Sequence, residues 1–215
     1  MSQVKKIEVE RAILASADVL FRKQGYSSTT MAAIARQAGI AASTIYVYFR
    51  SKVEVFFAVY APWLERHMAA MEECAARATD PVERARIVLE WNWIRIPTED
   101  NYFSNELISA LATATKADNY RQELFLRTRR RIAAAITGRP ESELTEQAIA
   151  IAMVALMAYD GFSLKIRAET SPADQALVNC IAEIFAAAIR TDRSAVADIL
   201  SSGSPQVQQL QGPVL

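Results

Sequence analysis

The stretch from residue 29 to 52, TTMAAIARQAGIAASTIYVYFRSK, restricts the fold more than any other part of the chain. Thr29 or Thr30 can cap a helix whose buried side carries Ile34, Ala35 and Ala38, and Gly39 supplies the positive φ that stops it and turns the chain. A second helix can begin near Ala42, with Ile45 and Phe49 four residues apart and packed inward. That leaves Ser43, Thr44, Val47 and Tyr48 largely to the outside, with Tyr46 at the margin. Two short helices, a glycine turn and an aromatic, basic rim make the layout of a helix-turn-helix, whose second helix reads DNA.

Upstream, Ile13, Leu14, Ala17, Leu20 and Phe21 form a stripe at helical spacing on a helix expected over 5–24, which roofs the pair. With Arg11, Gly25 and Tyr26, and with Thr-Thr, Ile-Ala, Ala-Gly-Ile, Ser-Thr-Ile-Tyr, Tyr-Phe and Ser-Lys in that order, about the first 55 residues resemble TetR-type (tetracycline-repressor-like) transcriptional regulators. Farther on, Tyr159-Asp160-Gly161-Phe162 is also similar. The resemblance implies an all-α fold of about nine helices: an N-terminal three-helix helix-turn-helix DNA-binding domain and a larger helical ligand-binding and dimerisation domain. The expected boundaries are 1–52 for the head and 53–200 for the body, with 201–215 a disordered tail, since SSGSPQVQQLQGPVL carries no sustained apolar face.

Charge follows that division. The net charge is zero, yet residues 1–52 hold eight Lys or Arg against three Asp or Glu, and the remainder sixteen against twenty-one. A positive head on a negative body favours one docking orientation on phosphate. Two cysteines, Cys74 and Cys180, make no disulfide framework and are expected to be buried thiols, and one histidine builds no His-based metal cluster. The apolar run 148–164 is interrupted by Asp160 and is short for a membrane span, and the polar, charged start of helix 1 is no signal peptide. The expectation is a cytoplasmic protein with no membrane association and no cofactor.

In the body, a helix is expected from Ser51 towards Ala78, kinked or divided by Pro62. Asp80-Pro81-Val82-Glu83 starts another that continues to about Ile96, and Thr98-Glu99-Asp100 caps one running to Thr113. Residues 116–137, closed by Gly138 and Pro140, read as one long helix, and the last two span about 143–169 and 172–189. Arg127, Arg129, Arg130 and Arg131 point in several directions around their helix and are assigned to carboxylate-paired surface.

Thr30, at a helix start, can both cap and donate to phosphate. Tyr48 and Lys52 match, by resemblance, phosphate contacts of the family; Ser43 and Thr44 are placed for base edges or neighbouring phosphates. Tyr46 is placed either against thymine methyl groups or against helix 1. Ala32, Ala41 and Ala42 stand where relatives often carry polar or basic readers, which shifts specificity towards apolar contacts and DNA shape.

By analogy with the family, His67, Trp91, Asn92, Trp93, Tyr102, Phe103, Tyr120, Phe125, Met157, Asp160 and Phe162 are candidates for an effector pocket, with Asn101 and Asn105 as further polar anchors. Taken singly, such an aromatic residue is more often ordinary core than pocket wall. Ala152, Leu156, Tyr159, Leu177, Ile181, Ile184 and Phe185 are candidates for a four-helix homodimer interface, with burial inside one chain as the alternative.

The expected function is a homodimeric repressor released from a palindromic double-stranded operator by a small, mostly apolar or aromatic molecule. The helix after Ser51, linked to the head through Phe56, Phe57 and Tyr60, would swing the two heads apart. The alternative is a regulator with no small-molecule effector, controlled by a protein partner or by abundance. The sequence offers no catalytic constellation.

Overall fold

A computed structural model describes residues 3–101, 103–115, 122–168 and 175–191, and the described residues are helices and short turns without a strand. Three helices form the head: α1 (Gln3–Ser28), α2 (Met31–Gln37) and α3 (Ala42–Ile45). The body follows with α4 (Lys52–Ala76), α5 (Pro81–Glu90), α6 (Glu106–Thr113), α7 (Gln122–Thr137), α8 (Glu146–Ala168) and α9 (Gln175–Arg190). The all-helical plan expected from the sequence is the one observed.

The helix expected over 5–24 extends to Ser28, with a break at Gly25. Gly25 holds φ 80° and ψ 166°, a region open essentially to glycine alone. The break turns Tyr26 into the core, 1 % exposed, and frees its backbone N–H to donate to Glu106 Oε2 at 2.7 Å. A Cβ on Gly25 would lie 3.1 Å from that same oxygen. One glycine therefore shapes the end of α1 and lets α6 approach it.

Thr30 caps α2, its Oγ1 accepting from Ala33 N at 3.1 Å, while Thr29 donates its hydroxyl to Gly25 O at 2.8 Å. Gly39 takes φ 69° after α2, as the turn requires. Ser51 caps α4 by accepting from Glu54 N, and Glu54 reaches back to accept from Arg50 N.

Of the two outcomes expected at Pro62, a kink or a division, the helix is not divided; α4 runs through it. Its ring lies on the exposed side, where water can serve the carbonyl that loses a partner. The helix expected to reach Ile96 instead stops at Glu90 and passes through a π-helical turn, Trp91–Arg95, into a short turn Ile96–Thr98. Two 3₁₀ turns, Glu99–Asn101 and Phe103–Asn105, then precede α6. The loosened winding lets Asn92 and Trp93 both point inward while Trp91 stays half-exposed beneath Arg95, 5.0 Å from its ring.

In the body α9 lies along α5, α7 lies between α5 and α8, and α8 also meets the π turn. Arg131 joins α7 to α4, bonded to Glu65 at 2.5 Å and to Glu72 at 2.6 Å; Arg127 also meets Glu65, and Arg130 meets Glu141. Three of the four arginines of the cluster thus pair with carboxylates as expected, whereas the buried Arg129 Nε has no hydrogen-bond partner among the described residues. Cys180, expected to be buried, is exposed because it lies on the outward side of α9, and Cys74 is half-buried. The tail 201–215 and the start signal of α9 lie outside the described residues.

Candidate functional site

The head presents one polar and aromatic surface over a closed core. Ile34, Ala35 and Ile45 are 0–1 % exposed and Phe49 is 6 % exposed, which anchors α2 and α3 against Ile13, Ala17 and Phe21 of α1. Ser43 is exposed, Thr44 and Tyr48 are half-buried, and Tyr46 and Val47 stand out at 56 % and 73 % exposure. Tyr46 thus points to solvent. Thr30, at the start of α2, is exposed as well.

Lys52 has a second task. Its ammonium donates to Tyr26 O at 2.8 Å and Thr29 O at 2.9 Å and sits 4.0 Å over the Tyr26 ring. It closes the carbonyl end of α1 around the Gly25 break, and burial lowers its pKa from the ordinary lysine value. Arg36 and Arg50, not singled out from the sequence, are exposed on the head. Their signal was available: Arg36 ends α2 and Arg50 follows the inward Phe49.

The described members of the expected pocket set are divided between the core and the surface. Phe103 is 1 % exposed in an aromatic cluster with Phe56, Tyr60 and Trp63. Trp93 donates its indole N–H to Ala155 O at 2.8 Å and stacks on Phe162 with ring centres 4.5 Å apart. Asn92 donates to Val88 O at 2.8 Å, and His67 Nδ1 lies 2.9 Å from Trp63 O. Phe125 is half-buried 6.2 Å from Phe57, whereas Met157 is 70 % exposed and Asp160 is exposed. Tyr102 and Tyr120 lie outside the described residues. A cleft of about 650 Å³ opens elsewhere, between α1, α4 and α7, with Leu14, Phe57, Pro62 and Leu124 on its walls.

A buried polar group sits where α8 passes the turns before α6. Ser104 is 0 % exposed, Asn105 7 % and Ser163 1 %. Ser104 donates to Ile96 O at 3.2 Å. The Tyr159 hydroxyl lies close to Ser104 and Ser163. Yet Tyr159 Oη, Ser163 Oγ and Asn105 Nδ2 complete no hydrogen bond among the described residues. Burial, with Tyr159 and Asp160 near it, raises the Tyr60 pKa well above the ordinary value; burial also raises Tyr159 and Asp160.

The same turns grip the head. Asp100 is the only non-glycine with positive φ among the described residues, at φ 51°. Its Oδ2 accepts from Trp63 Nε1 at 2.5 Å and pairs with Arg22 Nη1 at 2.6 Å. Burial alone would raise the Asp100 pKa, but the bonds from Arg22 and Trp63 outweigh it and hold the carboxyl below its usual value. With Glu106 on the Tyr26 N–H and Thr113 3.0 Å from the Tyr26 hydroxyl, the stretch 100–113 holds α1 at both sides of Gly25.

On the outer side, α8 exposes Ala150, Met153, Val154 and Met157, and α9 exposes Ala176, Leu177, Cys180 and Ile184. Of the expected interface residues, Leu177 and Ile184 lie on this surface and Leu156, Tyr159 and Ile181 are half-buried. Ala152 and Phe185, 0 % and 6 % exposed, turn into the chain's own core.

Residues 13–59, which hold the capped helices, the Gly39 turn and the start of α4, match the family model of bacterial regulatory proteins, tetR family. This N-terminal segment is a TetR-family DNA-binding head. The chain is 35% identical over 81 residues to the HTH-type transcriptional regulator HbdR of Aromatoleum sp. (strain CIB), a match covering 37% of this chain and 35% of that one. The matched segment thus spans about a third of that relative. The fold extends further than the sequence likeness. A TetR transcription regulator from Haloarcula marismortui superposes with a TM-score of 0.59 at 20% identity, covering 84% of this chain and 97% of that one. FadR from Bacillus subtilis, solved in complex with stearoyl-CoA, superposes at 0.50 with 16% identity, covering 83% and 98%.

Proposed function

We propose that this chain with a TetR-family head is a DNA-binding transcriptional regulator, a homodimeric repressor that a small, mostly apolar ligand releases from its operator. The observation that carries the reading is the head surface. Tyr46 and Val47 are displayed while Ile45 and Phe49 on the same turn are locked inside, so the docking edge keeps its shape before DNA arrives. Ser43, Thr44 and Tyr46 are assigned to base edges, and Thr30, Tyr48 and Arg50 to phosphate. Lys52 acts first as the clamp on α1 and through it sets the approach of α2.

The dimer follows from what the body leaves uncovered. The apolar stripes of α8 and α9 suit a four-helix contact with a second copy. Two heads could then enter successive major grooves, about 34–36 Å apart. Support for an effector comes from the body's buried polar group and from a fold shared with a protein solved with stearoyl-CoA. Coupling would run from α8 through residues 100–106 to Gly25 and Tyr26, and through the stacked Phe56, Tyr60 and Phe103. The second reading, regulation without a small molecule, draws on the lining of the cleft between α1, α4 and α7, which is built from residues other than those expected to form a pocket. Members of this family are regulators, not enzymes.

Genome-wide mapping of bound DNA followed by mobility assays in rising salt tests this reading. The expected site is two-fold symmetric, and Arg50→Ala lowers affinity for all sequences while reducing the salt slope by about one. A purified chain that stays monomeric and binds no duplex at low salt refutes it.

A further inference from the structure

The cleft between α1, α4 and α7 has a lining that names a ligand chemistry. At about 650 Å³ it lies within the size range of small-molecule sites. Its apolar wall is made by Leu14 of α1, Phe57, Ala61 and Pro62 of α4, and Leu124 of α7. The polar part of the lining is nearly all acceptor. Glu10 on α1 and Glu123 on α7 are exposed and enter no ion pair among the described residues; Lys6, one turn before Glu10, makes none with it. Glu54 accepts from the backbone N–H of Arg50 and keeps its charge. The one cation of the lining, Arg127, lies 3.3 Å from Glu65, which also holds Arg131. Pro62 adds an acceptor of another kind, because it has no N–H to give to the carbonyl of Ala58 on the same wall.

Charge and hydrogen bonding then select the occupant. An anion would meet four carboxylates against one guanidinium, and a neutral molecule would gain little beyond the apolar wall. The carboxylates do not converge on a bare metal ion, since no group of three that could hold one occurs among the described residues. An organic ammonium brings positive charge and N–H donors to the acceptors at the rim, while its apolar part covers Leu14, Phe57 and Leu124.

We propose that this cleft binds an organic ammonium with an apolar or aromatic body, its cationic end held by Glu10, Glu54 and Glu123. The proposal deepens the reading of the chain as a ligand-released regulator and rests on it for its consequence. Because α1 belongs to the head and α7 to the body, an occupant touches both. Any change it makes in duplex affinity is then returned as an equal change in its own affinity.

Thermal melts of the full chain at neutral pH with 4-phenylbutylamine, 4-phenylbutan-1-ol and 4-phenylbutyrate separate the possibilities, because the three share one apolar body and differ in charge. The amine raises the melting temperature with concentration, and the alcohol and the acid need at least about tenfold more for the same rise. Glu10→Gln and Glu123→Gln, both at exposed positions, keep the unliganded melting temperature and each raise the amine concentration required by about threefold. Glu143→Gln, in the turn between α7 and α8, leaves the amine response unchanged. The inference is overturned by an equal response to the alcohol or the acid, by no response to any probe, or by an amine response that both cleft variants retain in full. Duplex mobility assays on the same preparations judge the regulator reading separately: loss of duplex binding with the amine response intact refutes that reading and leaves the cleft assignment standing.

Discussion

In the head, Thr29 donates to Gly25 O, Lys52 donates to two carbonyls, and Thr30 and Ser51 cap the helices that follow them. In the body, the turns before α6 and the facing part of α8 hold Asn105 Nδ2, Tyr159 Oη and Ser163 Oγ without a completed hydrogen bond among the described residues, beside a π turn and a left-handed Asp100. The difference fits the two tasks proposed for these regions. A DNA-reading edge works by keeping one shape, whereas a region that answers a ligand must hold interactions in reserve and leave its backbone room to rearrange. The two regions meet at Gly25, where Glu106 of the body accepts a hydrogen bond from the backbone N–H of Tyr26 in the head.

The strongest way to break the comparison is at that meeting point. Gly25→Ala forces a side chain into a glycine-only conformation and against the Glu106 carboxylate, and is expected to cost about 1–3 kcal/mol. At about 2–4 °C per kcal/mol for a chain of this size, the melting temperature falls by several degrees. An unchanged melt would show that α6 does not hold the head through this residue.

Next comes a pair of hydroxyl deletions. Thr29→Val removes the donor to Gly25 O from a fully buried site and should destabilise by about 1–2 kcal/mol in denaturant melts. Tyr159→Phe removes a hydroxyl with no completed bond and should be neutral or stabilising by up to about 1 kcal/mol. Equal losses would erase the contrast between the regions.

A smaller effect sharpens the joint. Because its folded pKa is depressed, Asp100 stabilises the fold above its unfolded value, near pH 4, and that contribution fades as pH falls through the folded pKa. Half-exposure limits it to about 1 kcal/mol. The stability gap between wild type and Asp100→Asn should therefore be full above about pH 5 and shrink as pH falls below the unfolded value, near pH 4. A gap that does not change over this range would remove the Arg22–Asp100 pair from the account.

The smallest stability effect belongs to the docking edge. Tyr46→Ala should change stability by no more than about 0.5 kcal/mol while altering which DNA sequences are preferred, as read by competition binding.

The head was legible because its instructions are local. A cap, a positive-φ glycine and apolar residues at helical spacing place Thr30, Gly39, Ile45 and Phe49 without knowledge of anything distant. Lys52 was legible as a cation, but not as a clamp on α1, since its partners lie 23 and 26 residues away. The body was legible as helices and, for Arg127, Arg130 and Arg131, as arginines paired with carboxylates. Its interior was not. Tryptophans and phenylalanines mark a core and a pocket alike, and only tertiary packing placed Trp93 on Ala155 and Phe162. The π turn also shifts the register of everything after Glu90, so that face assignments made with a regular period do not carry through it. On α8 the packing turns Ala152 inward and leaves Met153 and Met157 outside, a choice that an apolar run on every side cannot announce.

The central claim is that two heads, held by one pair of bodies, read one duplex. Sedimentation of the chain with a fluorescent duplex chosen from its mapped sites tests this most directly, at low salt and again as salt rises. The account predicts two chains per symmetric duplex, with affinity falling steeply as salt increases. A single chain that passes the duplex by, even at the lowest salt, would contradict it.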